Sequence, residues 1–123
     1  MNAARIADEL GRVAAQPGIV ACALVDGSTG LVWHVSGASS NSEHMWEAAV
    51  DYWRLHNRQK AHFTGLGPLG AAVMYHAGGV LAVLPCCDDP DVLFVSHGQH
   101  ANVDWIALQR LVRTLGQLLR ISK

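Results

Sequence analysis

Residues 18–35 read Gly18-Ile19-Val20-Ala21-Cys22-Ala23-Leu24-Val25-Asp26-Gly27-Ser28-Thr29-Gly30-Leu31-Val32-Trp33-His34-Val35. The run from Gly18 to Val25 is almost wholly apolar and is too short for a packed helix, so it predicts a strand. Asp26-Gly27-Ser28-Thr29-Gly30 is a turn signal, and Leu31 to Val35 returns as the second strand of a hairpin. An antiparallel strand with one wet face alternates apolar and polar residues, and this one does not. Something must cover both faces.

The covering elements lie on either side. Upstream, Ile6, Leu10, Val13 and Ala14 fall on one face of a helix predicted over 3–16, with Arg5, Asp8, Glu9 and Arg12 on the other. Pro17-Gly18 ends it. Downstream, Gly37 to Asn41 leads into a second helix over 42–58, with Ser40 and Glu43 spaced as a capping box, and Asn41 or Ser42 as alternative caps. A glycine-rich loop, 57–68, is followed by strands at 69–75, 80–84 and 92–96. The turns between them are His76-Ala77-Gly78-Gly79 and the acidic stretch from Pro85 to Asp91. Asn102 or the loop before it starts the last helix, with Asp104 in its first turn. Leu108, Leu111, Val112, Leu115, Leu118 and Leu119 form that helix's buried stripe. The order is α-β-β-α-β-β-β-α. The predicted fold is α+β, a five-stranded antiparallel sheet with helices on both faces, in a single domain over 1–123.

Composition narrows the function classes. Half of the 123 residues are apolar and 15% are charged, which describes a core-rich domain with a lightly charged surface. A net charge of −1 with only nine Lys and Arg leaves no electrostatic footprint for nucleic acid. No apolar run is long enough to span a membrane, and Met1 to Ile6 lacks a secretory signal pattern. Three cysteines, two of them adjacent (Cys86 and Cys87), fit reduced thiols in a cytoplasm.

The second helix stands apart. At 100° per residue, Leu55, Ala48, Tyr52, Met45, Ala49, Trp53, Trp46 and Val50 sweep an arc of roughly 220°. A helix packed on one side needs little more than ~100°. Trp46 and Trp53, seven residues apart, meet the sheet, which leaves Met45, Tyr52 and Leu55 as the side left for a partner. Either the 57–68 loop folds over that surplus or a partner covers it. Ala48, Ala49 and His56 belong to the same candidate interface. Arg54, Arg58, Lys60 and His62 form a small basic edge, read as solvated or as a contact for an acidic partner.

The pattern resembles the Roadblock/dynein light-chain family over about residues 3–120. Pro17 to Asp26 is similar to the family's opening strand, Gly30-Leu31-Val32 to its second, and Ala101-Asn102-Val103 to the start of its last helix. The resemblance implies homodimers or heterodimers built through the middle helix and the third strand, with one sheet continuing across two subunits. It also implies a platform for a Ras-like small GTPase, dynein or a larger scaffold, with no enzymatic activity. On this resemblance Met45, Ala49, Tyr52 and Trp53, with Val73 and Tyr75, map to the interface. The long loop before Leu69 and the paired cysteines depart from the family pattern.

Signals for chemistry are weaker. Gly65-Leu66-Gly67-Pro68-Leu69-Gly70 matches G-x-G-x-x-G literally, but a helix precedes it and a strand follows, the reverse of a dinucleotide site. Cys86, Cys87 and Asp88 lie at one end of the fifth strand and His97 and His100 at the other, about 17 Å apart for five residues, too far to share one metal ion. Cys22 is read as core and His76 as a solvated turn residue. No cofactor or metal is therefore assigned. With the family resemblance, the sequence implies a cytoplasmic, non-catalytic homodimeric scaffold or adaptor, and the resemblance alone implies that it regulates a small GTPase or serves a signalling or motility complex. The alternative is a sensor-type α+β domain, similar to profilin or PAS domains, that binds a small ligand between sheet and helix.

Overall fold

A computed structural model describes residues 3–37, 43–88, 91–99 and 103–121. Helix α1 (Ala3–Ala14) is followed by β1 (Ile19–Asp26), β2 (Val32–Gly37) and α2 (Glu43–Gln59). A 3₁₀ segment (Lys60–Leu66) then leads to β3 (Ala72–His76), β4 (Gly79–Cys87), β5 (Val92–Gly98) and α3 (Trp105–Ile121). The strands form one antiparallel sheet in the order β2-β1-β5-β4-β3. The α-β-β-α-β-β-β-α order expected from the sequence is the order observed.

Period-two geometry splits the apolar strands between two cores. Cys22, Leu24, Ala82, Leu84 and Phe94 face Ile6, Leu10 and Val13 of α1 and Leu108, Val112, Leu115 and Leu119 of α3. Ala21, Ala23, Val25, Leu81, Val83, Leu93 and Val95 face the other way, onto Trp46, Ala49 and Val50 of α2. Two helices therefore cover one side and a single helix covers the other. This explains why β1, β4 and β5 read as unbroken apolar runs.

Several boundaries differ from the sequence reading, each for a local reason. Strand β4 continues through Pro85 to Cys87, where the sequence predicts a turn. Its partner β3 pairs only with residues 79–83, so at Pro85 one side of the strand is already an edge and the missing N–H costs no ladder bond there. Register slips between Pro85 and Cys87. The glycine-rich loop contains the 3₁₀ segment, kinked at Phe63, whose φ and ψ are −118° and 17°. Helix α3 starts three residues after Asn102. Its cap is Asp104, whose carboxylate accepts the Ala107 N–H at 3.0 Å while its carbonyl accepts that of Leu108 at 2.9 Å. Ser40, Asn41, Ser42, Ala101 and Asn102 lie outside the described residues, so the expected capping box falls there too.

The turn after β1 is built on Asp26. Its carboxylate accepts the N–H groups of Ser28 and Thr29 at 2.8 and 3.0 Å, and Gly30 takes a φ of 80° that favours glycine. Arg54 of α2 reaches across to this turn and donates to the carbonyls of Gly27 and Ser28 at 3.4 and 3.3 Å, while pairing with Asp51 at 2.9 Å. One residue of the expected basic edge is thus spent on locking α2 to the β1–β2 hairpin.

Candidate functional site

The exposed face of α2 follows from its sequence. Trp46, Ala49 and Val50 are fully buried against the sheet, whereas Tyr52 remains 51% and Leu55 48% exposed. Ala48 is exposed, and Met45, Trp53 and His56 are half-buried. The sequence assigns Ala49 to the interface, and its side chain is fully buried in the core between α2 and the sheet. The 3₁₀ segment leaves Tyr52 and Leu55 exposed. None of its residues is buried, and Phe63 instead stacks on the His56 ring at 5.4 Å between centroids. Leu66, 84% exposed, adds to the apolar surface.

Beside this face runs β3, an edge strand whose outer side pairs with no other strand among the described residues. Ala72 and Met74 pack toward the α2 core. Val73 and Tyr75 alternate to the opposite face, where Val73 pairs with Ala82 of the α1/α3 core and Tyr75 is 71% exposed. The nine residues assigned to an interface are thus not one patch. Seven belong to α2, and Val73 with Tyr75 lie across the sheet, joined to them only by the β3 edge.

A hollow of about 310 Å³ opens between α2 and the β3–β4 hairpin. Met45, Ala48, Ala49 and Tyr52 wall it from the helix, and Val80 and Leu81 from β4. His76 and His97 contribute its imidazoles. The sequence reading places His97 in a loop after β5. It is instead an in-strand residue on the α2 side, paired with Ala21 and Leu81. The signal was present in the alternation Leu93, Val95, His97. His76 is the last residue of β3 and is exposed.

The thiols are core groups. Burial pushes Cys22 up from its ordinary 9.0 to about 12, and its Sγ donates to the Leu10 carbonyl at 3.7 Å. Cys86 is likewise pushed up to about 12, by burial first and by neighbouring Cys87 second, and its Sγ donates to the Val112 carbonyl at 3.6 Å. Protonated, enclosed thiols are poor nucleophiles and poor metal ligands. Cys87 pairs with Val92 at one end of β5 and His97 lies near the other, so they do not converge. His100 lies outside the described residues. Among the described residues, no three His, Cys, Asp or Glu side chains are grouped as metal ligands. No helix there is long and apolar enough to cross a membrane.

No family model matches the sequence, and no curated protein matches it. Solved structures do. A Roadblock/LC7 domain from Streptomyces avermitilis is 21% identical, with a TM-score of 0.73 over 96% of this chain and 94% of that one. The gliding protein MglB of Thermus thermophilus is 14% identical, with a TM-score of 0.78 over 95% and 90%. An MglB structure with a tetrameric arrangement is 15% identical, with a TM-score of 0.77 over 98% and 91%. The chain has the Roadblock/LC7 fold.

Proposed function

We propose that two copies of this chain pair through α2 and the outer edge of β3. The pair acts as a non-catalytic adaptor that regulates a Ras-like small GTPase in a cytoplasmic signalling or motility complex. The observation that carries this reading is the exposed apolar surface of Tyr52 and Leu55 beside β3, the last strand in the order of the sheet. Exposed edges and large apolar patches are both liabilities unless a partner covers them. Fully burying a Tyr- or Leu-sized side chain contributes about 1.5–3 kcal/mol, so a twofold contact that uses each residue twice gains appreciable stability from these residues alone. Main-chain pairing of β3 with its mate would extend the sheet.

The tetrameric arrangement of one MglB structure supports self-association as a habit of this fold, and the gliding role named for another supports the motility clause. The GTPase clause rests on the family resemblance. Its test is co-elution of the purified protein with Ras-like GTPases in each nucleotide state, read together with GTP hydrolysis and nucleotide exchange rates. Binding in one nucleotide state, lost in Tyr52→Arg along with pairing, is the expected result. Pairing without binding or rate effects on any GTPase would remove that clause and leave the scaffold.

A further inference from the structure

Helix α3 shows solvent a stripe of one sign. Ile106, Arg110, Arg113, Gln117 and Arg120 recur three and four residues apart, so they share one face over about 21 Å of helix. All five are exposed, Ile106 to 65%. The whole helix, Trp105–Ile121, contains no Asp or Glu. Arg12 pairs with Glu9 and Arg54 with Asp51, but Arg110, Arg113 and Arg120 meet no carboxylate among the described residues. The helix dipole favours Arg120 in the last turn, yet it does nothing for Arg110 and Arg113 in the middle. Neighbouring like charges on one helix face repel, and an anion laid over them removes that cost.

Beside this stripe the sheet steps back. Strand β3 pairs with β4 only as far as Val83, and past it a second hollow of about 310 Å³ opens between β4 and α3. Leu84 and Val112, each 3% exposed, give it apolar walls, Pro85 and Gly70 line the strand side, and Gln109 and Arg113 line the helix side. Nothing lies within 4 Å of where a Gly70 Cβ would stand, so the hollow is open there. None of these residues belongs to the face assigned to pairing of two copies. The combination selects the partner. Nucleic acid calls for more charge than three arginines in a chain of net charge −1, and for rings to stack on, which the stripe lacks. An anionic membrane calls for a broad apolar face, and Ile106 is the only apolar residue of the five. Carboxylates on a protein segment suit guanidinium forks, and an apolar side chain beside them suits the hollow.

We propose that the outer face of α3 docks an acidic amphipathic helix of a partner protein. Its carboxylates lie on Arg110, Arg113 and Arg120, and one leucine-sized side chain fills the hollow over Leu84 and Val112. A helix matches the repeat, because its own carboxylates recur at the same three- and four-residue steps. The surface is formed within one chain and does not depend on pairing of two copies. Fluorescence anisotropy with a labelled synthetic helix tests it, with glutamates at those steps on one face, leucines on the adjoining face and alanine elsewhere. The controls are the same helix with glutamine for glutamate, the same helix with alanine for leucine, a single-stranded oligonucleotide and phosphatidylserine vesicles. The acidic helix should bind with a Kd below about 1 mM. Arg110→Glu and Arg113→Glu should each weaken it at least about tenfold at unchanged thermal midpoint, and so should a rise in salt from about 50 to about 300 mM. Tyr52→Arg, which separates paired copies, should leave it unchanged. No binding up to about 1 mM would overturn the proposal. So would equal binding of the glutamine or alanine controls, binding that both arginine variants leave intact, or tighter binding of the oligonucleotide or the vesicles.

Discussion

Gly116 shows how one position fixes the approach of α3 to the sheet. A Cβ there would run into the Cys86 carbonyl oxygen of β4, which is backbone and cannot swing aside. Gly116→Ala should gain helix propensity yet destabilise by about 1–3 kcal/mol through overpacking, seen as a lowered midpoint in urea. The buried thiols give a second test. Cys22 and Cys86 hold their protons well above the ordinary 9.0, to about 12, so the unfolded chain releases protons first as pH rises. Raised in the folded state, these groups leave stability intact below pH 9, and it should fall progressively between 9 and about 12 as the unfolded thiols ionise. At pH 8 neither thiol should react with iodoacetamide until denaturant is added, as mass spectrometry would show. Trp46 is fully buried and its Nε1 has no hydrogen-bond partner among the described residues. Trp46→Phe should therefore cost little, whereas Trp46→Ala should cost about 3–5 kcal/mol for the cavity left under α2.

At the scale of elements, Asp104 stops the fraying of α3 and Arg54 ties α2 to the first hairpin. Asp104→Ala should cost about 1 kcal/mol, the usual penalty for losing an N-cap, again read from the urea midpoint. Elements of this kind were legible where apolar period and turn chemistry agree. Gly18 to Val25 could only be a doubly covered strand, and Asp26 to Gly30 could only be its turn. Pro85 and His97 were misread because a strand's ends depend on its neighbours. A proline is tolerated where β3 has already stopped, and a histidine is held in strand by pairing with Ala21 and Leu81. Neither neighbour is visible in the local sequence. The 3₁₀ segment hid for a related reason, since Lys60 to Leu66 carries no buried residue and so no periodic signal.

For the whole molecule, the excess apolar arc of α2 was readable by helix arithmetic alone, and the structure leaves Tyr52 and Leu55 half exposed. How that arc connects to Val73 and Tyr75 was not readable, because only strand parity places those two on the far side of the sheet. Pairing through both regions therefore requires the partner to grip the β3 edge as well as the helix. Substitutions should divide accordingly. Tyr52→Arg should weaken pairing without lowering the thermal midpoint of the separated subunit. Sedimentation equilibrium at micromolar concentration tests the pairing of two copies most directly. Wild-type protein should sediment at twice the chain mass of 13.2 kDa and Tyr52→Arg nearer to that mass itself. Wild-type protein that sediments at the mass of a single chain across the micromolar range would contradict it.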